Sequence, residues 1–477
     1  MVVGSGTQNK TVAVVGAGLV GALEACVMAQ RGYKVNLYEF RKDIRTLEHV
    51  PGRSINLAMS VRGRSALRKV GVEGDIIERH AIPMKARMIH GTDGTMNPIP
   101  YNKDGQCIYS VGRRFVNEVL LTKAESFPNV TCHFEHQLTS INLDERRMIF
   151  TNPSSKERTE VTADLIIGCD GAYSAVRKEM LKRPQFNYSQ QYIPHGYMEL
   201  CIPPNSNGEF AMPANYLHIW PRGNFMMIAL PNQDRSWTVT LFMPFPIFDS
   251  LNSPAKLIEF FTRYYPDSIP LIGREKLIKD FFANKALPMI TVKCSPYHVG
   301  GSCVILGDAA HAMVPFYGQG MNCGMEDCLV LDEILTQHSE DLNAALPAYS
   351  VKRNPDAEAI VDLAMYNYVE MRDLVNSRLF LIRKKIDNAL NVVFPRSWVP
   401  LYTMVTFSRE PYHSCILKKR WQDKVLRLAS VAAVGTTAGV VAVVIRRNQP
   451  SQPLDTLFTA ASQALSVLNK TLGHFSS

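Results

Sequence analysis

The stretch from Thr11 to Ala29, TVAVVGAGLVGALEACVMA, admits few folds. Thr11 to Val15 is β-branched apart from Ala13 and predicts a buried strand, Gly16-Ala17-Gly18 predicts a tight turn, and Leu19 onwards has helical composition up to Gly32. Gly16, Gly18 and Gly21 form G-x-G-x-x-G, and a second strand, Tyr33 to Tyr38, ends in Glu39. Each of these residues has its own physical reason. The first glycine permits the turn, and the second lets backbone N–H groups approach a pyrophosphate at the helix N-terminus. The third lets helix pack on strand, while Glu39 is placed to accept from a ribose hydroxyl. Strand, turn, helix and acid in this order predict dinucleotide binding, of NAD or FAD. No basic segment followed by a small-residue cleavage site accompanies the apolar run, so it does not read as a secretory signal.

The chain of 477 residues is 46% hydrophobic and 20% charged, enough for a large core shared by two domains with appendages. Its net charge of +9 is spread over dispersed Lys and Arg, which fits a solvated surface with a basic end and predicts no nucleic-acid partner. Ten cysteines without a CxxC predict neither a zinc site nor a disulfide framework, but free thiols in a reducing compartment; Cys323 and Cys328 read as helix packing.

Two later segments repeat the pattern of strand, Gly/Asp turn and helix start. One is DLIIGCDGAYSAVR, Asp164 to Arg177, with Asp170-Gly171; the other is SCVILGDAAHA, which leads into GDAAHAMVPFYGQGMN, residues 307 to 322. In a simple nicotinamide dehydrogenase they have no purpose, whereas all three turns make sense around one long, permanently held cofactor. Between them, Tyr216 to Phe245 predicts strands separated by Pro-Arg-Gly-Asn and Pro-Asn-Gln-Asp turns, an antiparallel sheet.

This set of motifs resembles the single-component FAD-dependent aromatic hydroxylases of the para-hydroxybenzoate hydroxylase type. With GRSINLAMSVRG from Gly52 to Gly63, the KARMIHG segment and the Pro-Phe-aromatic-Gly-Gln-Gly-Met-Asn core, the chain is most similar to the members of that family that hydroxylate kynurenine. The resemblance implies an α/β fold: a Rossmann-like FAD-binding domain from 1–184 and 291–385, an inserted antiparallel substrate domain at 185–290, and a helical C-terminal region. It implies tightly held FAD, contacted by Gly16, Gly18, Gly21, Glu39, Arg41, Ala58, Arg113, Asp170, Asp308, Gly320, Met321 and Asn322. Arg113 would reach the pyrophosphate and Asp308 a ribose, and the N–H groups of Met321 and Asn322 would face the reduced flavin ring.

For the substrate, the resemblance implies that Arg87, Tyr101, Asn367 and Tyr402 hold the tail of L-kynurenine, with Phe242, Pro315 and Phe316 bordering the ring slot. NADPH would visit transiently, O2 would add to the flavin, and a C4a-hydroperoxyflavin would deliver OH beside the aniline nitrogen. No protein nucleophile or metal is then expected, and His311 is read as packing. Two other readings share the flavin motifs: a hydroxylase of another aromatic substrate, and an FAD-fold protein that binds without catalysis. Judged on its own residue type and neighbours, Arg87 reads as a surface arginine.

Leu428 to Ile445, LASVAAVGTTAGVVAVVI, carries no charge and is flanked by Lys418, Lys419, Arg420, Lys424, Arg427, Arg446 and Arg447. It predicts a C-terminal membrane anchor, after a cap or interfacial region at 386–427 and before a tail at 446–477. Ala389 to Phe407, broken by two prolines, predicts an amphipathic cap. The family places such an anchor in the mitochondrial outer membrane with the catalytic part in the cytosol, and a homo-oligomer is compatible with it.

Overall fold

The computed structural model describes residues 10–48, 56–102, 104–373 and 377–448. A six-stranded sheet runs in the order His298–Val299, Cys303–Ile305, Leu165–Gly168, Thr11–Val15, Lys34–Tyr38, Val130–His133. All neighbours are parallel except the His298–Val299 pair. Val12, Val14, Leu165, Ile166 and Ile167 are fully buried, as strands covered by helices on both faces require. The register matters most for function: Val15 pairs with Gly168, and Gly168 with Ile305. Three segments far apart in sequence therefore end side by side, and their three Gly/Asp turns open at the carboxyl edge of one sheet, where open α/β sheets bind ligands.

A seven-stranded sheet stands beside this half, ordered Leu287–Ser295, Asn187–Ile202, Trp237–Pro244, Met226–Pro231, Tyr216–Pro221, Ala86–His90, Met96–Pro100. The three strands between 216 and 244 match the turn pattern of the sequence. The layer is wider than the segment 185–290, because Ala86–His90 joins Tyr216–Pro221 in parallel and Met96–Pro100 follows it. That addition is what brings Arg87 to the substrate side. Between the two halves lie the helices Gly320–Gln337 and Leu342–Arg372.

The C-terminal region packs back on this junction. Helix Arg378–Val393 is followed by Leu401–Phe407, in which Met404, Val405 and Thr406 are buried. The second half of the expected cap is thus core. Val392, Val393 and Phe394 are more than half exposed, so the first half keeps an apolar face outside. A helix from Tyr412 to Asn448 ends the described chain. Among the described residues, no helix is long and apolar enough to cross a membrane. Within the expected anchor, 428–445, the side chains at 434, 438 and 441–445 lie outside the described residues.

Candidate active site

The glycine turn works through backbone geometry. Gly16 adopts φ +98°, and a Cβ there would lie 2.5 Å from the Cys169 carbonyl oxygen. A Cβ on Gly21 would lie 1.8 Å from the carbonyl oxygen of Gly16, so only glycine lets the helix Leu19–Gln30 start this close to the strand. Gly18 differs: a Cβ built on it meets no heavy atom within 4 Å. The space in front of Gly18 belongs to a cavity of about 420 Å³ that runs from Gly18 and Asp308 to Arg87 and Tyr402.

The ends of that cavity differ in chemistry. At the first, Arg113 and Asp308 are exposed and project charges from separate elements. Neither has an ion-pair partner among the described residues, which suits a pyrophosphate and a ribose. The helix Gly320–Gln337 starts here with Gly320 and Met321 on the wall, and Gly318 packs its left-handed turn (φ +65°) against Ala58. Glu39 accepts from Ala17 N–H at 2.9 Å and Arg41 N–H at 3.1 Å, fixing its carboxylate at the end of the second strand. An open glycine, a free cation, a free anion and a helix N-terminus in one groove fit FAD.

Asp170, Asn322, Arg41 and Tyr101, expected at the ligands, are not among the residues that line the cavity. Asp170 turns inward and accepts from Ala175 and Val176 N–H at 2.6 and 3.2 Å, capping the next helix. Burial raises its pKa above the usual carboxylate range against those hydrogen bonds. Gly171 and Ala172 carry the wall in its place. Asn322 was expected to act through its backbone N–H, in the first turn of the helix Gly320–Gln337; its side chain accepts from Ser60 N–H and donates to the Ala58 and Gly318 carbonyls, all within 2.8 Å, so it staples the strand Asn56–Met59 to the flavin-side turn. Arg41 lies over the Phe40 ring with a side chain 71% exposed and is not part of the cavity wall. Tyr101 sits behind the wall, stacked on Tyr402 at 5.3 Å.

At the far end the cavity is aromatic and apolar. Phe316 stacks on Tyr368 (3.7 Å between centroids) and meets Phe242 edge-on (4.9 Å). Asn367 donates to the Phe316 carbonyl at 2.7 Å, fixing the PFYGQG turn from Pro315 to Gly320 against the long helix. Into this lining projects Arg87, which is 3% exposed rather than solvated. Its Nη1 donates to Glu370 at 2.9 Å, its guanidinium lies 4.5 Å from the Tyr402 ring centroid, and its Nε is buried without a partner. Burial opposes the charge, but Glu370 together with Tyr402 and Tyr101 holds the guanidinium's pKa up. A charged guanidinium on the wall of an otherwise apolar cavity has the chemistry to pair with an anion.

Sequence reasoning missed Tyr317, Met371, Glu199 and Glu370. Tyr317 stacks on Tyr402 at 5.6 Å; Glu199 lines the cavity with its pKa raised by burial. Glu370 follows Asn367 by one helical turn, a spacing that could have flagged it.

The C-terminal segment is locked to the flavin side by buried charges. Arg62 donates to Glu326 at 2.8 Å and to the Val405 carbonyl at 3.0 Å, and Arg353 bridges Glu326 (3.2 Å) to Asp327 (2.7 Å). Tyr402 is therefore held in the cavity by residues of the FAD half. His311 belongs to the same network: its Nε2 lies 2.6 Å from Asp327, which also accepts from Gly307 N–H. Burial disfavours its charge, yet Asp327 keeps the imidazolium well above its ordinary range. It is packing, of an ionic kind. His311, Cys323 and Asp327 could in principle ligate a cation, but Arg353 already lies 3.2 Å from the sulfur and 2.7 Å from the carboxylate.

Comparison with known proteins agrees with this geometry. The profile of the FAD binding domain matches residues 9–364. The chain is 58% identical to kynurenine 3-monooxygenase of Anopheles gambiae over 436 residues, 90% of each chain. It is 51% identical to that of Sus scrofa, over 91% of this chain and 92% of the relative. Among solved structures, the tetrameric form of 2-methyl-3-hydroxypyridine-5-carboxylic acid oxygenase superposes with a TM-score of 0.63 at 19% identity, covering 77% of this chain and 93% of that one, a likeness of fold. With its FAD cradle intact and close relatives matched over nine-tenths of its length, the chain belongs to the kynurenine 3-monooxygenase family of FAD-dependent monooxygenases.

Proposed function

We propose that the protein hydroxylates L-kynurenine to 3-hydroxykynurenine, using NADPH and O2. One observation carries the reading of the substrate: the guanidinium of Arg87, a residue 3% exposed, lines the apolar end of a cavity whose other end is the FAD cradle. FAD, when bound, supplies the electron transfer and oxygen activation. The chain's own residues bind and orient. Arg87 takes the α-carboxylate, with Tyr402 and Asn367 beside it, and Phe242 and Phe316 hold the ring flat and keep water out. Gly320 and Met321, at a helix N-terminus, offer backbone N–H groups where negative charge collects. NADPH is read as a transient visitor, since the glycine turn at 16–21 is filled by one dinucleotide.

The test is NADPH oxidation by the detergent-solubilised full chain, with and without L-kynurenine, with the position of the new hydroxyl determined. Stimulated oxidation with hydroxylation beside the aniline nitrogen is expected; oxidation indifferent to L-kynurenine, with no hydroxylated product, would refute the assignment.

We also propose that the C-terminal helix anchors the protein to a membrane, the mitochondrial outer membrane with the catalytic part facing the cytosol. What supports this is the exposure of the described side chains between 428 and 440, apart from the half-buried Ser430 and Val431, with Leu428 and Val440 at 60% and 63%. A core helix would cover them. A chain ending before Leu428 is expected to leave the membrane pellet; full pelleting of that chain would place the attachment elsewhere.

A further inference from the structure

We propose that Tyr197, Glu199 and Thr240 form the docking point for the nicotinamide of NADPH: the Glu199 carboxylate accepts from the N–H of the carboxamide, and a hydroxyl of Thr240 or Tyr197 donates to its carbonyl. The inference rests on the reading of the protein as NADPH-dependent, and gives that transient visitor a place on the cavity wall.

The three side chains share one face of the seven-stranded sheet. Glu199 and Thr240 are directly opposite one another where Asn187–Ile202 pairs with Trp237–Pro244, and Tyr197 is opposite Phe242. Residues that are opposite, or two apart on one strand, point the same way, and here all four line the cavity. Tyr197, Glu199 and Thr240 are half-buried, and their side-chain oxygens have no hydrogen bond or ion pair among the described residues. Polar groups withdrawn this far from solvent call for partners, and a cavity ligand is in reach of all three. Burial raises the pKa of Tyr197 and of Glu199, and the charge of Arg113 pulls both back. The band therefore lies between Phe242, at the ring slot, and Arg113, at the pyrophosphate end.

Neither ligand already placed needs this band. The FAD cradle is built from Gly18, Gly171, Asp308 and the turn before Gly320, in the other half of the molecule. Arg87 stands four strands from Glu199 in the sheet, roughly 19 Å at ordinary strand spacing, beyond the reach of a ligand of kynurenine's size. A reductant of the flavin has to arrive in the middle of the cavity, since its ends hold the pyrophosphate and the substrate. The wall is open to solvent there: Pro288 and Pro315 are exposed on it, and Pro288 is opposite Gly196, next to Tyr197. A carboxamide offers N–H donors and a carbonyl acceptor on one edge of a flat ring. The band offers the complement, a carboxylate that accepts and a hydroxyl about 5 Å across the strand pair that donates. Glu199 also repels phosphate, so the nicotinamide end of the dinucleotide is the one admitted.

The experiment titrates the full-length holoenzyme with two non-reducing ligands: 1,4,5,6-tetrahydro-NADP, which keeps the carboxamide, and 2′-phosphoadenosine 5′-diphosphoribose, which lacks the nicotinamide. Dissociation constants are read by calorimetry for wild type, Glu199→Leu, Glu199→Gln and Thr240→Val. The wild type is expected to bind the tetrahydro ligand more tightly. Glu199→Leu is expected to weaken that ligand by at least about tenfold while the phosphoadenosine ligand stays within about twofold and the flavin content is unchanged. Glu199→Gln, whose amide carbonyl still accepts, is expected to recover most of the lost affinity. Equal weakening of both ligands would mean that Glu199 acts on the phosphates or on the fold. Lost flavin with unchanged nucleotide binding would give the band to FAD itself, and unchanged binding in every variant would leave it no role; each overturns the inference. Should Glu199→Leu fail to fold, Thr240→Val carries the test, and it must weaken the tetrahydro ligand alone. A wild type that binds neither ligand overturns the NADPH reading itself, whereas equal affinity for both overturns this inference alone.

Discussion

The two ends of the cavity are built by different means. The FAD end is made of backbone: glycines that allow close approach, a helix N-terminus, and strand ends held in register by a parallel sheet. The substrate end is made of side chains from five separate segments, Arg87, Phe242, Phe316, Asn367 and Tyr402, which meet only because the sheet and C-terminal helices fold over the same space. A site made of backbone tolerates almost no added atom, while a site made of side chains changes its affinity one group at a time.

Gly21→Ala should break the comparison most severely. With a Cβ 1.8 Å from the Gly16 carbonyl oxygen, the helix must shift off its strand; loss of most bound flavin and of soluble protein is expected, checked by the flavin-to-protein ratio. Retained flavin would mean that the turn has slack which its geometry denies.

Glu24 sets a second contrast, since it is a fully buried carboxyl group in the backbone half. Both its carboxylate oxygens lack a hydrogen bond, and burial raises its pKa to about 8. The folded state holds a proton there that the unfolded chain releases above about pH 4.5. Stability from this group is therefore lost as pH rises between those two values. Glu24→Met is expected to raise stability at pH 8 by on the order of 3 kcal/mol and to flatten the decline of Tm with pH. An unchanged Tm profile would show that Glu24 is solvated.

Gly18→Ala probes the open side of the same turn. The fold should survive, since nothing lies within 4 Å of the new methyl group. FAD affinity should fall about tenfold, roughly 1.4 kcal/mol, because the methyl occupies the ligand's space. Titration of apoprotein with FAD measures it; unchanged affinity would put the pyrophosphate elsewhere. Arg41→Ala is expected to do least, within about 0.5 kcal/mol in stability, with flavin content unchanged. A large flavin loss there would give Arg41 the contact that its exposed position does not.

Legibility in the sequence followed the same divide. The strand, turn, helix and acid of residues 11–39 could be read because local chemistry alone demands glycine and an acid at fixed spacings. The antiparallel strands between 216 and 244 were readable from their turns. Arg87 was not, because nothing around it in sequence shows that its strand joins a sheet begun more than a hundred residues later, or that Glu370 will meet it. For Asp170 and Asn322 the sequence shows the helix starts they belong to, but not that the Asp170 carboxylate caps the helix Ala175–Met180 or that the Asn322 amide ties down the strand Asn56–Met59, because those partners depend on side-chain direction. His311 could be recognised as packing, but its ion pair with Asp327 depends on a helix sixteen residues away.

The most direct test of the division of labour is to titrate L-kynurenine into wild-type and Arg87→Ala holoenzyme while following flavin absorbance. The account predicts equal flavin content in the two proteins, with a dissociation constant for L-kynurenine at least about a hundredfold weaker in the variant, on the order of 3 kcal/mol. A variant that binds L-kynurenine as tightly as the wild type would contradict it.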